Sequence, residues 1–431
     1  MSILEADPPV PVPPVEDAAE LETLITNAVT SSNANHFEQA ESFLREAIAI
    51  DSTDPRIAPH LSRIRFLKSR STDPEARAAT QEMMATIGAM TAEIRNDPRY
   101  VPSEFWQVMG KVHLDLLQYY GVENFKRTVS HNYQNWPMIS LEDPQVQRLF
   151  QTWQTHFKCE PWLNTMEVPD HVGFHSTAAP GKQEYRLADA KQREVYRVAV
   201  GLLWEYVLSN DTCGILTGLD ELTAGNPLRI WRHGRLISSD LAHSVRERNM
   251  LLESLKLDGR ENLTVAELGA GHGRLAEVFG RTTNYRFFIF DVTPALYVSQ
   301  WYVKSIFPHE KIFEFRHFDT FAEIEEELRG CRYAFFTANQ IEMIPNDSIN
   351  LFINMNSLME MRAEQIRIFL DHIDRLTTTA FLSRQWIKWK NPVDEFTVSK
   401  KDFGLSSRWH TVLDQIDDIH PSFFNQIWRK A

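Results

Sequence analysis

The pattern of hydrophobic and polar positions changes near residue 250 of the 431-residue chain. Beyond that point, short apolar runs alternate with amphipathic stretches of helical period, which is typical of βαβ units with a mostly parallel sheet. We therefore predict an α/β domain over residues 250–431. Its predicted strands are 263–268, 285–290, 311–315, 333–337, 349–355 and 379–382, and its main predicted helices are 294–306 and 363–376.

The pattern before residue 250 is mainly helical. Residues 35–51 resemble the second helix of a tetratricopeptide repeat, but the second copy expected about 34 residues later is missing, so no repeat array is predicted. We predict a helical hairpin region over 21–99 and a mainly helical region that covers the sheet over 100–249. The apolar face of the 35–51 helix consists of Phe37, Ala40, Leu44, Ala47 and Ile48.

Residues 1–20 differ in composition from the rest of the chain. They contain five prolines and several acids but no Lys or Arg. Such a segment buries too little apolar surface to offset its conformational entropy, and we expect a disordered tail. The start also lacks a basic stretch followed by an apolar one, so we expect no secretory signal.

Charge and cysteine usage narrow the class of protein. The chain has 45 basic and 58 acidic residues, a net charge of −13. That balance disfavours nucleic acid and anionic membrane as partners. The three cysteines lie far apart in the sequence, which disfavours a disulfide framework. Cysteine usage of this kind is typical of proteins in a reducing compartment. The longest apolar run, 198–208, is too short to span a bilayer, so we expect a cytoplasmic protein without membrane insertion.

A glycine-rich turn follows the first predicted strand. The sequence reads Glu267-Leu-Gly269-Ala-Gly271-His-Gly273, and glycines there allow a ligand to approach the backbone at a helix N-terminus. Gly271 to Ala276 also fits the dinucleotide pattern G-x-G-x-x-A. S-adenosylmethionine is the alternative ligand, since a carboxylate at Glu267 attracts a cation and repels pyrophosphate. A purely structural turn is the third interpretation.

Three polar residues at the ends of later strands are further candidates for cofactor binding. Asp291 ends the second strand, where an open α/β sheet presents an acid to ribose hydroxyls, although it could instead cap the next helix. Asn339 and Gln340 follow the strand 333–337, and their amides could contact an adenine edge or serve as caps.

Several of these segments carry a family resemblance. Residues 267–275 resemble motif I of the class I, Rossmann-like methyltransferases, and further blocks are similar to the sugar O-methyltransferase family. This resemblance implies a Rossmann-like sheet, S-adenosylmethionine as cofactor and a sugar or glycan precursor whose hydroxyl is methylated. The blocks are 124–127, 225–227, 237–244, 290–300, 350–361 and 384–389.

Methyl transfer to a hydroxyl needs a group that removes the proton, and it requires no metal. Glu360, after the strand 349–355, and His317, after the strand 311–315, are the candidate bases. Arg384, Gln385 and Trp386 could bind sugar hydroxyls. Two other functions stay open: an NAD(P)-dependent oxidoreductase using the same glycine turn, and a non-catalytic adaptor. In either case the helical N-terminal region could bind a protein partner or form a dimer.

Overall fold

The computed structural model describes residues 15–129, 140–157, 159–160, 163–167, 175–179, 182–185 and 190–431. The chain divides into two compact units. The first comprises residues 1–77 together with 169–173, and the second comprises 78–168 and 174–431.

The helices cover both units, and most lie before the large sheet in sequence. They are α1 (Val15–Asn33), α2 (Phe37–Ile50), α3 (Ile57–Thr72), α4 (Pro74–Arg95), α5 (Glu104–Tyr120), α6 (Phe125–Thr128), α7 (Pro144–His156), α8 (Ala190–Asn210), α9 (Ser239–Leu255), α10 (Arg274–Thr282), α11 (Ala295–Ile306), α12 (Glu325–Arg329) and α13 (Ala363–Leu376).

The strands all belong to the second unit. They are β1 (Thr165–Glu167), β2 (His175–Ala179), β3 (Lys182–Tyr185), β4 (Arg229–Arg232), β5 (Arg235–Ile237), β6 (Thr264–Leu268), β7 (Arg286–Asp291), β8 (Ile312–Phe313), β9 (Tyr333–Thr337), β10 (Ile349–Met355), β11 (Thr377–Trp386), β12 (Lys388–Lys390), β13 (Thr397–Ser399), β14 (Trp409–Ile416) and β15 (Phe423–Lys430).

The first unit consists of α1, α2 and α3 packed side by side. Of the predicted apolar face of α2, all but Ile48 are buried; Ile48 is 37% exposed. The buried guanidinium of Arg63 on α3 donates to Ser32 Oγ (2.6 Å) and Asn33 Oδ1 (2.7 Å), which joins α3 to the end of α1. Three helices therefore form most of this unit, whereas the predicted hairpin region, 21–99, also includes α4 and continues into the second unit.

The disordered tail predicted over residues 1–20 overlaps the start of a helix. Helix α1 begins at Val15, so residues 15–20 are helical, and residues 1–14 lie outside the described part of the chain. The acid Asp17 in the first turn suits the positive end of the helix dipole. Leu21 and Leu24 in the following turns are buried and anchor the helix.

The main sheet of the second unit has eight strands in the order β8-β9-β7-β6-β10-β11-β15-β14. The strands from β8 to β11 pair in parallel, whereas β15 is antiparallel to both β11 and β14. An antiparallel strand inserted between the last two parallel ones is the arrangement of the class I methyltransferase sheet. The predicted Rossmann-like α/β class is confirmed.

The strand order reverses at β6, the first strand of this sheet along the chain. Strands β7 and β9 lie on one side of it and β10 and β11 on the other. The central strands are buried along most of their length, because helices cover both faces of a doubly wound sheet. Ligands of open α/β sheets bind outside the carboxyl ends of the strands at such a reversal.

Two of the family-like blocks pack directly against each other. Lys126 N donates to Gly225 O (3.0 Å), Arg127 Nε donates to Asn226 O (2.7 Å), and Asn226 Nδ2 donates to Asn124 Oδ1 (2.7 Å). The Lys126 ammonium is buried and donates to Glu221 Oε1 (2.5 Å). These contacts join α6 to the turn that precedes β4.

Candidate functional site

The carboxyl ends of β6, β7 and β10 converge at the reversal of strand order and open into a cavity, here called the donor cavity. Five of the predicted site residues line it: Glu267, Gly269, Gly271, Asp291 and Glu360. Residues of the preceding helical region also line it. They include Tyr100, Pro102, Ser103, Trp106 and Asp240.

The glycine turn has the backbone geometry that its sequence predicts. Gly269, Gly271 and Gly273 have φ values of 73°, 61° and 87°, in the left-handed region that favours glycine. A Cβ at Gly269 would lie 2.1 Å from Ser357 Oγ, so no side chain fits there. Gly273 lies just before α10 and does not line the cavity; it permits the turn.

Glu267 is a buried carboxylate with an unmatched oxygen. The residue is 2% exposed, and no group in the described part of the chain donates to its Oε2. Burial raises the pKa of Glu267 to about 8, while the nearby charge of Arg274 opposes the shift. A buried acceptor without a partner costs about 1–3 kcal/mol, so a ligand that supplies a positive charge or an N–H would fit here.

Asp291 is held by the backbone of the glycine turn. Its Oδ2 accepts from Gly271 N (3.0 Å), and its Oδ1 accepts from Val292 N (2.7 Å). Burial raises its pKa to about 7, against the effect of these N–H groups. Helix α11 begins at Ala295 without a side-chain cap, so Asp291 is not the helix cap that the sequence also allowed.

Glu360 lies on the opposite wall, in the short turn Leu358–Glu360 that follows β10. Its Oε2 accepts from Trp106 Nε1 on α5 (2.8 Å), and its backbone carbonyl accepts from Ser103 Oγ (2.9 Å). Burial raises the pKa of Glu360 to about 8, although the indole N–H lowers it. The cover thus fixes this carboxylate in the cavity.

Besides Gly273, three predicted site residues do not line the donor cavity. His317 has a side chain 61% exposed and pairs with Glu93 Oε2 (2.7 Å), which raises its pKa; the structure places this predicted base outside the cavity. Gln340 caps its own turn, accepting from Thr337 N (3.0 Å) and donating to Arg316 O (2.9 Å). Asn339 donates to Glu93 Oε1 (3.2 Å). Local backbone and ion-pair contacts thus engage His317 and Gln340, whereas Asn339 Oδ1 is buried and accepts no hydrogen bond among the described residues.

The predicted sugar contacts of the last family-like block are structural as well. Arg384 is buried and donates to Asp417 Oδ2 (3.1 Å). Gln385 is buried and donates to Asn354 Oδ1 (2.6 Å). Neither side chain lines the donor cavity.

Two residues that support the cavity, Asn354 and Trp106, are not predicted as site residues from the sequence. Asn354 Nδ2 donates to Leu268 O (2.8 Å), and its Oδ1 accepts from Leu358 N (3.0 Å), so it ties the end of β6 to the turn that contains Glu360. Asn354 could have been noticed in the sequence, because it is a polar residue inside an otherwise apolar strand. Nothing in the local sequence indicates the role of Trp106, because its partner Glu360 is 254 residues away.

The described residues contain neither of two kinds of feature, a metal-binding cluster and a membrane-spanning helix. Among them, no group of three or more His, Cys, Asp or Glu is arranged to hold a metal ion. In that same part of the chain, every helix is too short or too polar to cross a lipid bilayer.

Comparison with known proteins gives matches only to solved structures; no protein family and no curated protein matches the sequence. A SAM-dependent methyltransferase from Aquifex aeolicus is 10% identical, with a TM-score of 0.27, and the match covers 43% of this chain and 89% of that one. Magnesium protoporphyrin IX methyltransferase from Synechocystis PCC 6803 with bound SAH is 11% identical, with a TM-score of 0.32, covering 44% and 86%. Because these identities and TM-scores are low, the fold follows from the strand order of the main sheet and not from the matches.

Proposed function

We propose that the chain is an S-adenosylmethionine-dependent O-methyltransferase that methylates a hydroxyl of a sugar or glycan precursor. The observation that supports it best is the unmatched, buried Glu267 carboxylate beside the glycine turn. When bound, S-adenosylmethionine supplies a methyl group activated by a sulfonium charge.

The charges around the donor cavity favour a cationic ligand over a dinucleotide. Glu267, Asp291 and Glu360 all line it, and burial raises the pKa of each. A positive ligand stabilises their ionised forms, whereas a pyrophosphate would add repulsion. In this arrangement Glu267 binds the charged amino acid part of the donor, and Asp291 accepts from its ribose hydroxyls.

Glu360 is the proposed base. A carboxyl group with a pKa near the working pH is well matched to accepting a hydroxyl proton. Trp106 holds one of its oxygens, which leaves the other available to an acceptor hydroxyl. The sugar class of the acceptor is supported by the family-like blocks of the sequence.

Calorimetric titration with S-adenosylhomocysteine, with NAD and NADP as parallel ligands, tests the proposal. We expect saturable binding of S-adenosylhomocysteine alone. The variant Gly271→Val should lose this binding, because the added side chain projects from a residue that lines the cavity. Gly214→Val is the matched control, since Gly214 also has a positive φ (67°) but no neighbour within 4 Å of an added Cβ. Binding of NAD but not S-adenosylhomocysteine would contradict the proposal.

A further inference from the structure

A second cavity lies next to the donor cavity and is here called the side cavity. Pro102 and Trp106 line both, so the indole that holds Glu360 forms part of the wall between them. Its floor includes Thr293 and Pro294, which follow the predicted ribose-binding Asp291. Its other lining residues are Ile87, Thr91, Ile94, Arg95, Val101, Gln107, Gly110, Lys111 and Leu114, from α4, α5 and the loop between them.

The charge of the side cavity is opposite to that of the donor cavity. Its lining contains two basic residues, Arg95 and Lys111, and no Asp or Glu. Both basic residues are exposed, and neither takes part in an ion pair among the described residues. In a chain with a net charge of −13, two unneutralised cations that line one concavity point to an anionic ligand.

The rest of the lining fits the uncharged part of such a ligand. Ile87, Ile94, Val101 and Leu114 provide apolar surface, and the Trp106 ring provides an aromatic wall. Gln107 Nε2 donates to Pro102 O (2.9 Å) and Thr91 Oγ1 donates to Ile87 O (2.7 Å), so the amide oxygen of Gln107 is the main further hydrogen-bonding group of these two side chains. An apolar pocket with a few convergent polar groups is the usual form of a small-molecule site.

We propose that the side cavity binds the methyl acceptor, and that this acceptor is a phosphorylated hydroxy compound whose phosphate is held by Arg95 and Lys111. The inference rests on the proposed methyltransferase function and adds a substrate class to it. A guanidinium and an ammonium together match the double charge of a phosphate ester. With the phosphate at Arg95 and Lys111, the hydroxyl end of the acceptor extends to Pro102 and Trp106, where the side cavity adjoins the donor cavity.

Calorimetry on the full chain saturated with S-adenosylhomocysteine tests this assignment. The probes are glucose 1-phosphate and UDP-glucose, which carry the phosphate in two different compounds, with glucose as the uncharged comparison. We expect saturable binding of at least one phosphorylated probe and none of glucose. Which probe binds distinguishes a sugar phosphate from a nucleotide sugar as the source of the phosphate.

The double variant Arg95→Glu/Lys111→Glu should weaken this binding at least tenfold while leaving the affinity for S-adenosylhomocysteine within about twofold of the original. Arg77→Glu/Arg367→Glu makes the same charge change at two exposed residues outside both cavities and should leave both affinities unchanged. Unaltered probe binding in the Arg95/Lys111 variant, or no probe binding to a chain that binds S-adenosylhomocysteine, would overturn the assignment. Failure to bind S-adenosylhomocysteine would instead overturn the proposed function.

Discussion

Glu267 is a buried residue that lowers the stability of the ligand-free fold, and under the proposed function it does so in favour of binding the donor. Its carboxyl group is buried with an unmatched oxygen, and its pKa in the folded chain is about 8, against a usual value of 4.5. The folded state therefore binds a proton that the unfolded state releases. The contribution of this group to stability is complete below about pH 4.5 and is lost as the pH rises through about 8.

Glu267→Gln should therefore stabilise the ligand-free protein at pH 9 by about 1–3 kcal/mol, since an amide cannot ionise. The same variant should weaken binding of S-adenosylmethionine at least tenfold, because the carboxylate that attracts the cation is gone. Thermal unfolding at pH 6 and pH 9 and calorimetry measure the two effects. Glu364→Gln, at an exposed position on α13, is the control. A variant that is less stable at pH 9 and binds the donor normally would contradict this role.

Trp106 is a positioning residue for Glu360. Its indole N–H lowers the pKa of the carboxyl group, so Trp106→Phe should raise that pKa. Since Glu360, the proposed base, must be ionised to accept a proton, the acidic limb of the pH–rate profile should move to higher pH by about half a unit to one unit. Trp389→Phe removes an indole that contacts Phe105 instead and should leave the profile unchanged. The rates are measured with an acceptor from the phosphorylated sugars, and an unshifted profile for Trp106→Phe would contradict the role.

A candidate site residue can be predicted from the sequence when its place follows from a regular strand. It cannot be predicted when its contact is a local cap or a residue far away along the chain. Glu267 and Asp291 could be predicted, because each ends a buried strand and the carboxyl ends of parallel strands meet at one edge. Gln340 could not, because its side chain folds back on its own turn, and an amide suits a cap as well as a ligand. His317 is engaged by Glu93, a residue 224 positions away that no local pattern indicates.

At the level of elements, close contact between two loops explains why glycine occupies position 225. A Cβ there would lie 2.4 Å from Phe125 Cε1 and 2.9 Å from Lys126 Cγ. The contact holds α6 against the turn before β4, beside the buried ion pair of Lys126 and Glu221. This packing gives the family-like blocks 124–127 and 225–227 a structural role.

Gly225→Ala should lower the free energy of unfolding by about 2 kcal/mol more than Gly234→Ala does. Both glycines have a positive φ, 81° and 76°, so the cost of the backbone conformation is similar in the two variants. Only Gly225 has neighbours within 4 Å of an added Cβ, and the difference therefore measures the packing contact. Chemical denaturation gives both values; equal losses would show that the loops can move apart without cost.

The strands that were predicted well are those with continuous apolar runs. The predictions for 333–337 and 349–355 coincide with β9 and β10, which are buried almost throughout. Strand β11 runs from Thr377 to Trp386, longer than the predicted 379–382, because its ends are polar. Strands β14 and β15 were missed, since β14 is a largely exposed edge strand and β15 mixes Asn, Gln and Arg with apolar residues.

For the whole molecule, the division into two compact units separates the donor cavity from the N-terminal helices. Every residue that lines the donor cavity lies in the second unit, between Tyr100 and Phe369. The first unit has its own buried residues, such as Leu44, which is 0% exposed. Donor binding should therefore not require a folded first unit.

Leu44→Asp in the full chain tests this independence. An unpaired carboxylate in the interior of α1 to α3 should unfold the first unit, because the desolvation of the charge exceeds what three helices can compensate. The affinity for S-adenosylhomocysteine should stay within about threefold of the original, while limited proteolysis cuts within residues 15–72. Ile48→Asp, on the same helix and 37% exposed, should change neither property. A parallel loss of donor affinity in Leu44→Asp alone would mean that the first unit supports the cavity, and the N-terminal helices would then belong to the catalytic machinery instead of serving a separate partner.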